Sequence, residues 1–293
     1  MGFGILMGLL ASASWACANV FIQRASRALG PFRALVWALT SGGLALLPAA
    51  LLLDHRTASL ASGALTGWLT VAALAAVVAY TSMFFAVERG RLSVVVPVMS
   101  SWSVIAAAIS LVVLGETVRR TQLAGAGAVV AGVVVIARFA RHEAGGEPAA
   151  STAVGRPRSA LAMSALTALG FGVLIPAMDR LAPALGRLGA VSSVLLVDLV
   201  LWLPVAAAAR LDVRPPPRGV WPLVLAAGAF ETIGFVWISL GIARAPVAVV
   251  SPFAGLSSAF TVLYAWVALN ERPARPVVVG AALVCAGVVF LSL

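Results

Sequence analysis

The sequence predicts an all-α integral membrane protein with ten transmembrane helices, arranged as two inverted repeats of five helices each. Three observations lead to this prediction. Of the 293 residues, 62% are hydrophobic and 10% are charged, whereas a soluble domain carries roughly a quarter charged residues. The apolar residues form continuous runs long enough to cross a bilayer, and one stretch of the chain recurs in its second half.

Ten apolar runs approach the length of about 20 residues that a helix needs to cross the hydrocarbon core. Because these runs are continuous rather than alternating, they favour helices over a membrane barrel. The predicted spans are 3–23, 34–53, 65–87, 93–114, 119–138, 158–178, 188–209, 220–243, 246–268 and 274–292. A polar connection at 139–157 separates a first five-helix repeat, 1–138, from a second, 158–293.

The recurring stretch covers residues 88–136 and, without a gap, residues 243–291. Chance accounts for some matches in a chain rich in alanine and valine, but less readily for matched prolines, acids and arginines. The pairs are Pro97 and Pro252, Glu116 and Glu271, Arg120 and Arg275, Gly125 and Gly280, and Gly132 and Gly287. Such self-similarity indicates an internal duplication. Since each predicted repeat, 1–138 and 158–293, holds five spans, an odd number, the second repeat must begin on the opposite side of the membrane. The two repeats are therefore inverted.

The composition excludes several classes of function. The 20 basic residues, all arginine, lie mostly between apolar runs, where they meet lipid headgroups, so no nucleic-acid partner is predicted. Cys17 and Cys285 lie inside apolar runs, so we expect neither a disulfide nor a metal site. His55 and His142 lie in loops, so no buried catalytic pair can be assembled. No cofactor or ATP-binding GxxxxGK[ST] loop is expected either.

A second pattern occurs in both copies: a proline inside a span, an apolar run, Leu-Gly-Glu, a short basic turn and a glycine-rich span. In the first copy these are Pro97, Leu114-Gly115-Glu116, Arg119-Arg120, Gly125, Gly127 and Gly132. In the second they are Pro252, Leu269-Asn270-Glu271, Arg275, Gly280 and Gly287, with Asn270 in place of the first glycine. The first span adds Ser14-Trp15, Asn19 and Arg24, and Arg33 opens the second. By these residues the chain resembles the EamA-type ten-helix exporters of the drug/metabolite transporter superfamily over nearly its whole length.

The resemblance implies a secondary transporter of the bacterial inner membrane that exports small metabolites, most often amino acids. It also implies cytoplasmic termini, whereas 14 arginines in odd-numbered loops against 6 in even-numbered loops place the termini outside. The orientation therefore stays open, although both termini lie on one side because ten is even. The expected partners are a small-molecule substrate and membrane lipids. The alternative functions are a passive channel or a lipid-handling protein, and an intramembrane enzyme fits less well.

Two carboxylates lie at the centre of predicted spans, Asp198 and Glu231. Ionisable groups at membrane depth are costly, so each requires a reason. Either residue could take up a proton or bind a substrate amine, and either could instead make a structural hydrogen bond to a neighbouring helix. Glu116 and Glu271 stand at span ends beside arginines, where helix-end ion pairing explains them, with a gating contact as the other interpretation.

Two further patterns mark candidate pathway residues. Ser12, Trp15, Asn19 and Gln23 recur at spacings of three and four, which places them on one helical face. This stripe could line the pathway or join helices through hydrogen bonds. Tyr80, Phe84 and Glu88 form a similar line in the third span, where the aromatic pair could line the pathway or serve ordinary packing.

Prolines at matched positions of two inverted halves point to a transport site, because each frees a backbone carbonyl one turn earlier. Each proline is followed by small polar residues and an amphipathic ring. The residues are Pro97, Ser100, Ser101, Trp102 and Ser103 in the fourth span, and Pro252, Ser257, Ser258 and Tyr264 in the ninth. Plain helix bending is the alternative explanation. Small residues at 124–132 and 280–287 favour close packing within one chain or across a dimer, and the sequence does not distinguish a monomer from a dimer.

Overall fold

The computed structural model describes residues 2–53, 63–115, 157–208, 210–261, 264 and 275–292, with isolated positions between 121 and 135. Throughout these residues the chain is helical except for short turns and the connection at 210–217. The helices are α1 (Gly2–Leu29), α2 (Pro31–Leu53), α3 (Gly63–Arg89), α4 (Leu92–Met99), α5 (Trp102–Val113), α6 (Pro157–Leu185), α7 (Arg187–Ala208), a 3-10 turn (Arg218–Val220), α8 (Trp221–Ile242), α9 (Val247–Gly255) and α10 (Arg275–Ser292).

In the described part of the chain, seven helical segments are long and apolar enough to cross a membrane. They correspond to predicted spans one to four and six to eight, with α4 and α5 together forming the fourth. Shorter apolar helices, Val247–Thr261 and Val278–Gly287, fall on spans nine and ten. Most of the predicted fifth span, 119–138, and the connection at 139–157 except its last residue lie outside the described residues. The prediction of an all-helical membrane protein is confirmed.

Helices from the first half of the chain pack mainly against helices from the second half. The two most extensive contacts are α3 with α6 and α1 with α8. α2 packs on both α7 and α8, α5 packs on α6 and α9, and α1 also packs on α9. The two halves therefore interleave rather than forming separate bundles.

Small residues let the two largest helix pairs approach closely. A β-carbon added to Gly170 on α6 would lie 2.7 Å from the Ala79 nitrogen and 2.8 Å from the Ala75 carbonyl oxygen of α3. On α1, a β-carbon at Gly8 would lie 2.9 Å from the Val250 carbonyl oxygen of α9. In lipid, apolar helices gain little from mutual burial, so close van der Waals packing has to hold them together.

The predicted fourth span is interrupted just beyond its proline. Pro97 lies within α4, which ends at Met99, and Ser100 and Ser101 form a turn before α5 begins. The Ser101 amide donates to the Val98 carbonyl at 3.2 Å, and the Ser103 amide donates to Ser100 at 3.2 Å. These three-residue spacings are those of a tighter 3-10 turn, which follows the proline by one turn of helix.

The ninth span shows the same interruption. Pro252 lies within α9, which ends at Gly255, and Leu256 forms a turn before the helix resumes at 257–261. The Leu256 amide donates to the Phe253 carbonyl at 3.2 Å, again with a three-residue spacing. Both matched prolines thus precede a tightened turn, with serine residues in the first turn and directly after the second.

The connection between α7 and α8 is fixed to the start of α2. Arg33 donates through Nε to the Arg214 carbonyl at 2.7 Å, pairs with Asp212 at 3.2 Å and also donates to the Pro215 carbonyl. The Trp37 indole donates to the Val213 carbonyl at 3.2 Å. Arg33 is one of the residues that carry the family resemblance, and here it joins the two halves of the chain.

Gly170→Ala should destabilise the protein by about 1–3 kcal/mol, because the added methyl group meets the backbone of α3 rather than a movable side chain. The measurement is thermal unfolding of the purified protein in detergent. The matched control is Gly67→Ala in α3, where an added β-carbon has nothing within 4 Å. Equal melting temperatures for the two variants would contradict the close α3–α6 contact.

Candidate functional site

A cavity lies where helices of the two halves meet, and it encloses about 430 Å³ of empty space counted with its opening. Both halves line it. The first half contributes Trp15, Asn19, Met83, Val96, Met99, Ser100 and Trp102, and the second contributes Thr167, Phe171, Ile175, Glu231, Phe235 and Ser257. Its mixture of apolar walls with a few polar groups is typical of a small-molecule site.

Aromatic side chains from four helices form one continuous wall of the cavity. Trp15 meets Trp102 edge to face, with ring centroids 5.7 Å apart, and meets Phe235 in the same way at 5.1 Å. Phe171 follows, 6.0 Å from Phe235. Such edge-to-face contacts add to the burial energy of the rings and hold them in defined orientations.

Two contacts position Trp15 within this wall. Its indole N–H donates to the main-chain carbonyl of Glu231 at 3.3 Å. A β-carbon at Gly234 would lie only 2.5 Å from the indole nitrogen, so the ring rests directly on the backbone of α8. The sequence gives no sign of this role for Gly234, which looks like an ordinary small residue of an apolar span.

Glu231 lines the cavity with a side chain that is almost fully buried. Behind it, the Tyr80 hydroxyl approaches the Glu231 carboxyl but makes no hydrogen bond of regular geometry. The Tyr80 ring packs edge to face on Phe171, with centroids 5.2 Å apart. Tyr80 therefore backs the cavity wall instead of lining the cavity.

Asp198 is fully buried on α7 and does not line the cavity. Neither of its carboxyl oxygens has a hydrogen-bond partner among the described residues. Asp198 and Glu231 both interact electrostatically with Tyr80. Of the two carboxyl groups, only that of Glu231 lines the cavity. The two predicted carboxylates are thus on different sides of the wall: one faces the cavity and the other is enclosed by helices.

Neutral polar groups connect the two halves around the cavity. The Asn19 amide donates to the Thr261 hydroxyl at 3.4 Å. The hydroxyl groups of Ser100 and Ser257 lie 3.5 Å apart, so the turn of the fourth span meets the ninth span just after its interruption.

Besides Tyr80, six of the predicted pathway residues do not line the cavity. They are Phe84, Pro97, Ser101, Pro252, Ser258 and Tyr264. Ser101 and Ser258 each donate to a carbonyl of their own helix, at 2.8 Å and 3.3 Å. Phe84 is fully buried in the core, and Tyr264 is 38% exposed. The prolines shape the turns, while other side chains form the site.

The polar stripe on α1 divides into two roles. Trp15 and Asn19 line the cavity. Ser12 donates to the Leu9 carbonyl of its own helix at 2.8 Å. The Gln23 amide donates to the carbonyls of Val87 and Gly90, at 3.0 Å and 3.1 Å, which ties α1 to the end of α3.

Sequence reasoning missed the apolar and aromatic residues that form most of the second-half wall. Thr167, Phe171 and Ile175 recur every four residues on α6, and Phe235 follows Glu231 by four residues on α8. The four-residue spacing places each set on one helical face. That spacing was visible in the sequence and, starting from Glu231, points to Phe235.

Among the described residues, no group of three or more His, Cys, Asp or Glu side chains could hold a metal ion. Cys17 and Cys285 are free thiols. The predicted helix-end residues Glu116 and Glu271 lie outside the described residues, as do His55 and His142.

A helical membrane protein with a cavity shared by both halves of its chain has the construction of a small-molecule transporter. The model of the EamA-like transporter family matches residues 2–138 and 158–293, so the chain belongs to that family. A solved structure described only as "Crystal structure of protein" shares the fold: it matches over 98% of this chain and 95% of its own, with a TM-score of 0.68 and 20% identity. A search of curated proteins finds no match.

Oxidation should join cysteines introduced together at Ser100 and Ser257, in a protein whose Cys17 and Cys285 are replaced by serine. The two hydroxyl oxygens are 3.5 Å apart, and a disulfide needs β-carbons within about 4.5 Å. Intact-mass measurement after alkylation of free thiols gives the yield. The matched control pairs Ser101→Cys with Ser257→Cys, because the Ser101 side chain turns to its own helix. Equal yields for both pairs would contradict this geometry.

Proposed function

We propose that this EamA-family protein is a secondary active exporter of small metabolites, amino acids or related compounds, in the bacterial inner membrane. The observation that carries the proposal is the cavity between the two halves of the chain, with a buried carboxyl group set in an aromatic wall. Substrate would bind there and leave on the other side after the halves move relative to each other, which is alternating access.

We further infer ten spans in two inverted repeats. A two-fold axis in the membrane plane would exchange α1 with α6 and α3 with α8. It would therefore convert the α1–α8 contact into the α6–α3 contact, and these are the two most extensive helix pairs. The same operation converts the α4–α6 contact into the α9–α1 contact, and both contacts exist. This pattern of packing supports the inversion that the odd span number predicts.

The interrupted helices are the elements best placed to move in this mechanism. They meet near their interruptions at the Ser100–Ser257 contact beside the cavity. A 3-10 turn with a nearby proline has fewer regular backbone hydrogen bonds than a continuous helix. A change of angle at either turn would alter the access of the cavity to one side of the membrane.

Glu231 would couple transport to protons. A carboxylate in an apolar wall is costly unless it is protonated or paired with a cation. Proton and substrate amine would therefore compete for Glu231, so that binding of one releases the other. Asp198, which is buried and without a partner among the described residues, is the second candidate for a proton site.

The experiment that tests the function is counterflow in proteoliposomes. Compounds are first selected by export or resistance on overexpression, and their exchange is then followed with and without a pH gradient. Saturable exchange supports the carrier. Ion conductance without exchange would instead support a channel. If neither exchange nor conductance were observed, a function other than transport would be favoured.

Glu231→Gln should reduce proton-driven exchange at least about tenfold, because the amide cannot release a proton or pair with a cation. The variant should still insert and purify as a folded protein, since the two side chains have nearly the same shape. The measurement is the exchange rate across a series of external pH values.

The matched control is Glu88→Gln at the end of α3, where the carboxylate is partly exposed and pairs with Arg89 at 3.5 Å. This control should retain wild-type exchange and its pH dependence. If Glu231→Gln kept the same exchange at every pH, Glu231 would have no part in coupling.

A further inference from the structure

The described lining of the cavity includes an acidic side chain but no basic one. Among its described lining residues, Glu231 is the single ionisable side chain, and neither arginine nor histidine is present. The chain carries 20 basic residues against 10 acids, so this absence differs from the composition as a whole. The polar groups that accompany the carboxyl are an amide and hydroxyls, from Asn19, Ser100, Thr167 and Ser257.

Four of the described arginines are engaged at helix ends and turns. Arg33 binds the 210–217 connection, Arg187 pairs with Asp179 at 2.9 Å, and Arg244 lies over the Phe3 ring at 5.3 Å from its centroid. Arg27 donates to the Gly90 carbonyl at 3.3 Å. None of these groups can neutralise a negative charge in the cavity without leaving its partner.

The remaining walls favour a positive charge as well. The faces of indole and phenyl rings carry negative electrostatic potential, and tryptophan attracts cations most strongly. Trp15 and Trp102 stand at 88° to each other, so their rings form a corner, and Phe235 extends it beside Glu231. Met83 and Met99 add polarizable, adaptable surface that accommodates apolar groups of different shape.

We infer that the cavity binds singly charged organic amines with an apolar or aromatic body, and that it disfavours zwitterions and carboxylates of the same body. This inference rests on the proposed function and narrows its substrates, from amino acids or related compounds to the amines among them. The ammonium group would pair with Glu231 while the body contacts the aromatic wall. The carboxylate of an amino acid would lose its water beside Glu231, with only neutral donors to replace that water, which is costly.

The test uses four probes that share a phenyl ring on a two-carbon chain: phenethylamine, 2-phenylethanol, 3-phenylpropionate and L-phenylalanine. Their binding to the purified full-length protein in nanodiscs is measured by calorimetry at one pH. Phenethylamine should bind at least about tenfold more tightly than L-phenylalanine or 3-phenylpropionate, because only the amine adds a charge-assisted contact without burying an anion. Equal or tighter binding of L-phenylalanine, or no binding of phenethylamine, would overturn the inference.

Two variants separate recognition of charge from general packing. Glu231→Gln should weaken phenethylamine about tenfold and leave the neutral 2-phenylethanol unchanged. Trp102→Leu should weaken phenethylamine several-fold more than 2-phenylethanol, because it removes a π face but retains an apolar side chain. A loss of both probes in equal measure would indicate packing alone and count against the inference, and Glu88→Gln should bind both probes as the wild type does.

The outcome is separable from that of the proposed function. Saturable exchange of L-phenylalanine in proteoliposomes, together with no preference for phenethylamine, would retain the transporter and overturn the amine site. Tight binding of phenethylamine without exchange of any compound would retain the amine site and contradict the transporter. Because the comparison of the four probes uses the wild-type protein, the inference stays testable even if a variant fails to fold.

Discussion

Close approach of helices from opposite halves of the chain is the constraint on which the rest of this structure depends. In lipid there is little hydrophobic gain from bringing two apolar helices together, so contact has to come from backbones that touch. Gly170 rests on the backbone of α3 at Ala75 and Ala79, and Gly8 rests on α9. These close backbone contacts set the distance between the halves, and the cavity lies where helices of the two halves are further apart.

The buried polar groups follow from the same environment. Several buried hydroxyls are satisfied within their own helix, as when Ser110 donates to Ala106 and Ser164 donates to Ala160, each at 2.8 Å. Ser82 and Thr167 instead join α3 to α6, with oxygens 2.9 Å apart. Glu231 and Asp198 differ, because a carboxyl group has no such local partner on a helix. Where the structure leaves a carboxyl unpaired, a proton or a ligand has to complete it, and this is why these two acids, rather than the serines, bear on function.

The aromatic wall shows how a packing requirement and a binding site can coincide. Trp15 has to fit against Gly234 for α1 to approach α8, and the same fit turns its ring toward the cavity. Phe235 and Phe171 extend the wall because helical periodicity repeats the face that holds Glu231 and Thr167. The cavity is therefore a by-product of the two extensive helix contacts, and a change in either contact would alter both stability and the shape of the cavity.

From the sequence alone, the apolar runs determined the helical membrane class, and the repeated motif determined the family. Pattern also selected Trp15, Asn19, Ser100, Trp102, Ser257 and Glu231, all of which line the cavity. These residues could be selected from the sequence because span length, prolines and buried charge are local properties that lipid enforces residue by residue. Tertiary structure alone decided that Tyr80 and Asp198 stand outside the cavity and that Phe171 and Phe235 stand inside it. In a chain that is apolar on every face, periodicity does not tell which face of a helix meets lipid, a neighbour or a cavity, so that choice depends on how the small residues of separate helices fit together.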